Sequence, residues 1–240
     1  MGVTNRQAGT RVDEIAEGIF RISTPFHEIP GGFSFNQYLL KEDQPMLFHT
    51  GPRRTAALVR EAVASLMKVE DLRFIGFSHY ESDECGALAE LLRIAPGAVP
   101  VCGQINAMIN GDSFDRPARV LAEGETLSIG RHRVRWFDTP HLPHAWECGY
   151  LMEERTGTLL CGDLFTQGGA DLPPITTSDI LGPSEAFRRQ MDYFSHTKNV
   201  RSLTARLADA KPKVLACMHG SAWQGDGGVL LTALAESLDA

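Results

Sequence analysis

The stretch FSHYESDECGAL, residues 77–88, sets His79, Glu81, Asp83 and Glu84 within six residues, immediately after an apolar run. Three carboxylates so close repel one another unless water or a cation lies among them. A solvated turn would tolerate them, and Asp83 and Glu84 would also suit the positive end of a helix. Neither role accounts for His79. Imidazole and carboxylate together are donors for a multivalent ion, and three further stretches offer the same chemistry. These are TPHLPHAW with His141 and His144, CGD with Asp163, and CMHG with His219. Each follows an apolar, strand-like run. In layered folds the strand ends at one edge converge, so four separate loops can supply one site.

The elements that must position these loops are legible as alternating patterns. EGIFRIST, FSFNQYLL and QPMLFHTG read as strands, with Pro30-Gly31-Gly32 turning between the first two. RRTAALVREAVASLM carries Leu58, Val59, Ala62, Val63 and Leu66 at helical spacing. LRFIGFS is the next strand, ECGALAELLRI a helix stopped by Pro96-Gly97, AVPVCGQ a strand and INAMING a short helix. RVLAEGETLSIGRHRVRWFDTP reads as two strands joined at Gly130, and CGYLMEE with GTLLCGDLF as a hairpin. Residues 168–183 form the longest loop. SEAFRRQMDYFSHT, VRSLTARLADA and the closing GGVLLTALAESLDA are helical, with KVLACMH a strand between the last two. Strands and helices in both halves indicate an α/β layered fold in one domain spanning 1–240, with residues 1–10 a loose polar leader.

At 240 residues, 43% hydrophobic and 22% charged, the chain has the composition of an ordinary globular protein. A net charge of −7 argues against a nucleic-acid groove or an anionic membrane surface. No stretch has the pattern of a secretory leader or the length of a bilayer span, so the expectation is a cytoplasmic protein. Five scattered cysteines with no C-x-x-C pair read as core residues; Cys85, Cys161 and Cys217 fall beneath the candidate site. His132, between two arginines, reads as a surface residue, and His196 as the end of a helix.

From NQYLL…PMLFHTGP through CMHG the chain resembles the metallo-β-lactamase fold superfamily. That resemblance implies an αββα sandwich: two β-sheets flanked by helices, with the site at the strand ends. The hydrolases of the superfamily carry His-x-His-x-Asp-His in the first loop, whereas here it reads His79-Tyr-Glu81-Ser-Asp83-Glu84. Glu at the third place resembles the flavodiiron, or oxygen-binding diiron, branch. That branch also spaces its next histidine and bridging aspartate by eighteen residues, which selects His144 with Asp163 over His141. The resemblance implies His79, Glu81 and His144 on one metal and Asp83, Glu84 and His219 on the second, with Asp163 bridging. Two positions depart from the pattern. Glu84 replaces a histidine, and could ligate directly, ligate through water or leave the second metal weakly held. His49 stands where an outer-shell Asp is usual. Phe26, His27, Tyr80 and His141 are candidates to line the pocket, although an extended loop would point Tyr80 away from the ligands.

Four carboxylates neutralise two divalent ions, and an oxygen-rich set favours iron, or manganese, over zinc. The leading expectation is therefore a non-haem diiron protein that binds or reduces O2, or NO. The chain ends about twenty residues past His219, leaving no room for a flavin domain. Electrons would then come from a separate flavoprotein or rubredoxin-like donor, and the resemblance implies a homodimer. The rival expectation is a binuclear metallo-hydrolase of lactone, thioester or phosphoester type, in which a bridging hydroxide attacks.

Overall fold

A computed structural model describes residues 2–238; Met1 of the expected leader and the last two residues of the expected closing helix lie outside them. Two mixed sheets face one another. The first runs in chain order: β1 (Gly2–Asn5), β2 (Thr10–Ala16), β3 (Ile19–Phe26), β4 (Phe33–Leu40), β5 (Met46–Phe48), β6 (Phe74–Gly76), β7 (Val99–Gly103) and β8 (Arg119–Leu121). Pairing is antiparallel up to β5 and parallel from β5 to β8. Parallel neighbours need crossovers, and α1 (Ala56–Ala64), α2 (Ser82–Cys85), α3 (Leu88–Ile94) and α4 (Gln104–Asn110) lie in them. The second sheet contains β9 (Thr126–Ser128), β10 (Arg133–Asp138), β11 (Gly149–Glu153), β12 (Thr158–Leu160), β13 (Ile175–Thr176), β14 (Val214–Ala216) and β15 (Ala222–Gln224). Its spatial order is β13-β15-β14-β12-β11-β10-β9. Three helices accompany it: α5 (Leu181–Met191), α6 (Val200–Asp209) and α7 (Gly227–Leu238).

Alternation along the strands sorts the core into layers. Leu39, Leu47 and Ile75 pack with Val59 and Val63 of α1 and Leu88 and Leu91 of α3. Their alternates Leu40, Met46 and Phe48 meet Val134, Trp136, Leu151 and Leu160 of the other sheet. Tyr150, Met152, Leu159 and Leu215 face Leu203 and Leu207 of α6 and Leu231 and Leu234 of α7. The order helix, sheet, sheet, helix is the expected αββα sandwich. Burying a Leu or Phe side chain contributes about 1.5–3 kcal/mol, so each interior layer is a large stabilising term.

Four local expectations are corrected. Residues 2–5 are not a loose leader but an edge strand paired with β2. Arg119–Leu121 does not pair across Gly130; it closes the first sheet against β7, and the chain then crosses to β9. The helix expected to run through Thr197 ends at Met191, where Asp192 takes a left-handed conformation (φ 47°). His132 is buried, with Nδ1 3.0 Å from Glu153 and Nε2 3.5 Å from Glu42. The arginines beside it suggested a surface turn, but the ring lies between carboxylates distant in sequence.

Candidate metal centre

Four loops leave the carboxyl ends of β6, β10, β12 and β14 and meet at one edge of the sandwich. After β6 the chain passes through His79 and Glu81 into α2, whose first turn carries Asp83 and Glu84. His144 lies in the loop after β10, Asp163 three residues past β12, and His219 three residues past β14. Gly162 allows the chain to turn into Asp163: its φ is +48°, and a Cβ there would come within 2.9 Å of the Tyr150 ring and 3.0 Å of Ser78 Oγ.

The donors form two groups. In the first, His79 Nε2 is 2.9 Å from Glu81 Oε2 and 2.9 Å from His144 Nε2, and His144 Nε2 is 3.0 Å from Glu81 Oε2. Asp163 Oδ2 completes it, 3.5 Å from His144 and 3.7 Å from His79. The second comprises Asp83, Glu84 and His219, with His219 Nε2 3.4 Å from Asp83 Oδ2. Asp163 joins the two: while Oδ2 faces the first group, Oδ1 lies 3.2 Å from His219 Nε2. All seven residues that the sequence singled out as donors are brought together.

The cluster is a poor fit to itself and a good fit to cations. Both oxygens of fully buried Glu84, and Oδ1 of Asp163, have no hydrogen-bond partner. An orphaned buried carboxylate is costly. Burial, reinforced by the negative Asp163 beside it, pushes the Glu84 carboxyl well above its usual range. Hydrogen bonds from His144 and His79 hold Glu81 at about 2. Burial alone would lower His219, but the neighbouring carboxylates of Asp163 and Asp83 outweigh it and raise the ring to about 10. Protonated imidazoles here balance carboxylates that divalent ions would otherwise neutralise. Outward-facing nitrogens are already engaged, as in metal-ligating histidines: His144 Nδ1 is 2.9 Å from the Tyr193 carbonyl and His219 Nδ1 2.9 Å from the Ser34 carbonyl.

Aromatic rings wall one side. Phe33 stacks on His219 with centroids 4.3 Å apart, Phe35 meets it edge-on at 5.3 Å, and Phe187 stacks on Phe33 at 5.6 Å. Of the pocket candidates, Phe26 is buried behind Phe35, at 5.0 Å. His27 is exposed, 3.7 Å from Asp171. Tyr80 is exposed beside Phe114, and His141 lines a separate surface pocket with Phe194 and His196. Sequence reasoning passed over Phe33, Phe35, Phe187, Tyr193 and Ser34. The first two sit in a strand whose aromatics read as core, and no local pattern ties the others to the site. All five cysteines are buried and free, with Cys161 and Cys217 3.9 Å apart below Asp163 and His219.

A family model described as "ODP family beta lactamase" matches residues 33–220. The anaerobic nitric oxide reductase flavorubredoxin of Salmonella arizonae is 27% identical over 209 residues, which cover 80% of this chain and 42% of that protein. The chain thus spans less than half the length of that relative. Among solved structures, the rubredoxin oxygen:oxidoreductase of Desulfovibrio gigas superposes with a TM-score of 0.77 at 19% identity, covering 95% of this chain and 60% of that one. A flavodiiron protein from Giardia intestinalis gives 0.80 at 16% identity, covering 95% and 59%.

Proposed function

The chain belongs to the ODP family of the β-lactamase fold, and from that membership and its donor set we propose a non-haem diiron protein that binds or reduces O2 or NO. His79, Glu81 and His144 would hold one ion, Asp83, Glu84 and His219 the other, and Asp163 would span both. Bound there, two irons would supply reducing equivalents and an open coordination position for a diatomic ligand. The observation that carries the reading is the charge of the donor set. Four carboxylates against three imidazoles would cancel two divalent charges, and such a set would favour ferric over ferrous iron. The same neutralisation would weaken the ions' Lewis acidity, which disfavours the rival hydrolase. Manganese fits the same oxygen-rich set.

The chain's own groups shape access. Phe33, Phe35 and Phe187 keep bulk water from the His219 side, while Glu81, half exposed, marks the open edge. Carbonyls of Tyr193 and Ser34 hold two imidazoles with Nε2 turned inward. The flavorubredoxin and the rubredoxin oxygen:oxidoreductase bear names that tell of flavin and rubredoxin. By analogy, electrons here would come from an external flavoprotein or rubredoxin-like donor, and a homodimer is part of the same proposal. No helix among the described residues is long and apolar enough to cross a membrane. The free cysteines suit a reducing compartment, and we assign the protein to the cytoplasm.

Metal analysis with an optical spectrum of protein purified without added metal tests this reading. The expected result is about two irons per chain and near-ultraviolet absorption that bleaches on anaerobic reduction and returns with O2. Stoichiometric zinc with esterase or lactonase turnover would overturn it.

A further inference from the structure

We propose that His49 fixes the tautomer of His79, acting through the hydroxyl of Ser78, and is thereby a positioning residue for the first donor group. The proposal rests on the reading of His79 as a metal ligand. Three imidazoles point Nε2 into the cluster, and each must keep that nitrogen unprotonated to coordinate. For His144 and His219 the matter is settled by their outer partners: a main-chain carbonyl only accepts, so Nδ1 carries the hydrogen. His79 differs. Its Nδ1 lies 3.0 Å from Ser78 Oγ, and a hydroxyl serves equally as donor or acceptor. Left alone, Ser78 would be free to donate to Nδ1, placing the ring hydrogen on Nε2, where the cation belongs.

His49 removes the ambiguity. Its Nε2 accepts the main-chain N–H of Ser78 at 3.3 Å, so that nitrogen bears no hydrogen. The same Nε2 lies 3.0 Å from Ser78 Oγ, and the only hydrogen available between them is the hydroxyl's. Ser78 therefore donates to His49 and turns a lone pair towards His79 Nδ1–H. The far nitrogen of His49 carries its hydrogen and meets Met218 Sδ at 3.0 Å, a weak acceptor that closes the chain. Direction runs one way throughout, from His79 to Ser78 to His49 to Met218.

Independent features agree. His49 is fully buried and its backbone is left-handed, φ 64°, a conformation that a non-glycine residue keeps only where neighbours hold it. Burial lowers its pKa to about 3, so the ring stays neutral at physiological pH and Nε2 remains an acceptor. An aspartate at this place would bring a charge to the same hydroxyl; a neutral imidazole gives the same direction without one.

Zinc(II), which is diamagnetic, is the probe. Metal-stripped protein titrated against a chromophoric chelator is expected to bind two Zn(II) per chain. His49→Leu is expected to weaken the tighter or weaker of those steps, whichever involves His79, roughly ten- to hundredfold. His49→Gln, whose amide oxygen still accepts from Ser78, is expected to stay within about threefold of the parent. In a Ser78→Ala background, with no hydroxyl to misdirect, His49→Leu is expected to change affinity by less than about twofold. An equal effect of His49→Leu in both backgrounds would mean that the ring matters only for packing and would overturn the proposal. So would a full-affinity Leu variant. Nitrogen-15 spectra of histidine-labelled, Zn(II)-loaded parent protein decide the matter even if that variant fails to fold. His49 protonated on Nδ1 and bare on Nε2 supports the relay, and the reverse tautomer refutes it. If the parent binds fewer than two Zn(II), the ligand assignment itself falls, and this proposal with it.

Discussion

At the scale of single residues, Glu84 tests the assignment most severely. It stands where the resemblance implies histidine, it is fully buried, and neither of its oxygens has a hydrogen-bond partner. A carboxylate in that state is explained by an ion it would ligate. Glu84→Ala is therefore expected to lose one of two metals per chain, counted by elemental analysis; retention of both would remove Glu84 from the ligand set. His49 makes a second prediction, on stability. Burial depresses its pKa from 6.5 to about 3, so between those values the unfolded chain takes up a proton that the folded chain refuses. Stability is thus fully present above pH 6.5 and lost as pH falls towards 3, by about 1.4 kcal/mol per pH unit at most. Urea midpoints of metal-free protein between pH 7 and pH 4 are expected to fall more steeply for the parent than for His49→Gln. Parallel slopes would contradict a buried neutral His49.

At the scale of elements, the short helix α2 carries two of the three members of the second donor group, and it is separated from α3 by Gly86 and Ala87. Gly86 is needed for space: a Cβ there would lie 2.2 Å from the Ser82 carbonyl oxygen and 3.1 Å from Arg53 N, both main-chain atoms. Gly86→Ala is expected to push α2 aside, costing about 1–3 kcal/mol and lowering Tm by a few degrees. One metal should also be lost more readily than the other on dialysis against chelator. An unchanged Tm and metal content would show that α2 moves without consequence. The continuous apolar spacing of ECGALAELLRI predicts a single helix; in the structure the Ala87 N–H leaves the helical ladder for the Gly51 carbonyl at 3.2 Å and Thr50 Oγ1 at 3.1 Å, contacts invisible to periodicity. Likewise the helix expected from Ser184 through Thr197 is ended early by Asp192. That exit lets the Tyr193 carbonyl reach His144 across 49 positions of sequence. What was legible was local: four ligand motifs, each just past an apolar run. What was not legible was the surroundings that carry no motif of their own, such as His132 between Glu42 and Glu153.

At the scale of the whole molecule, the fold brings four strand ends from two sheets to one edge, and this converts four weak motifs into one cluster. The two donor groups do not arise from different halves. His79, Glu81, Asp83 and Glu84 come from the first sheet's crossover, while His144, Asp163 and His219 come from the second. The site therefore exists only when the sheets are packed face to face, and a cation there would couple metal binding to the docking of one sheet on the other. The central claim, that paired cations sit within this cluster with Asp163 between them, is met most directly by anomalous diffraction at the iron edge from crystals of iron-loaded protein. Two peaks per chain are expected, one enclosed by His79, Glu81 and His144, the other by Asp83, Glu84 and His219, with one oxygen of Asp163 turned to each. A single peak, or none among these side chains at full iron loading, would contradict it.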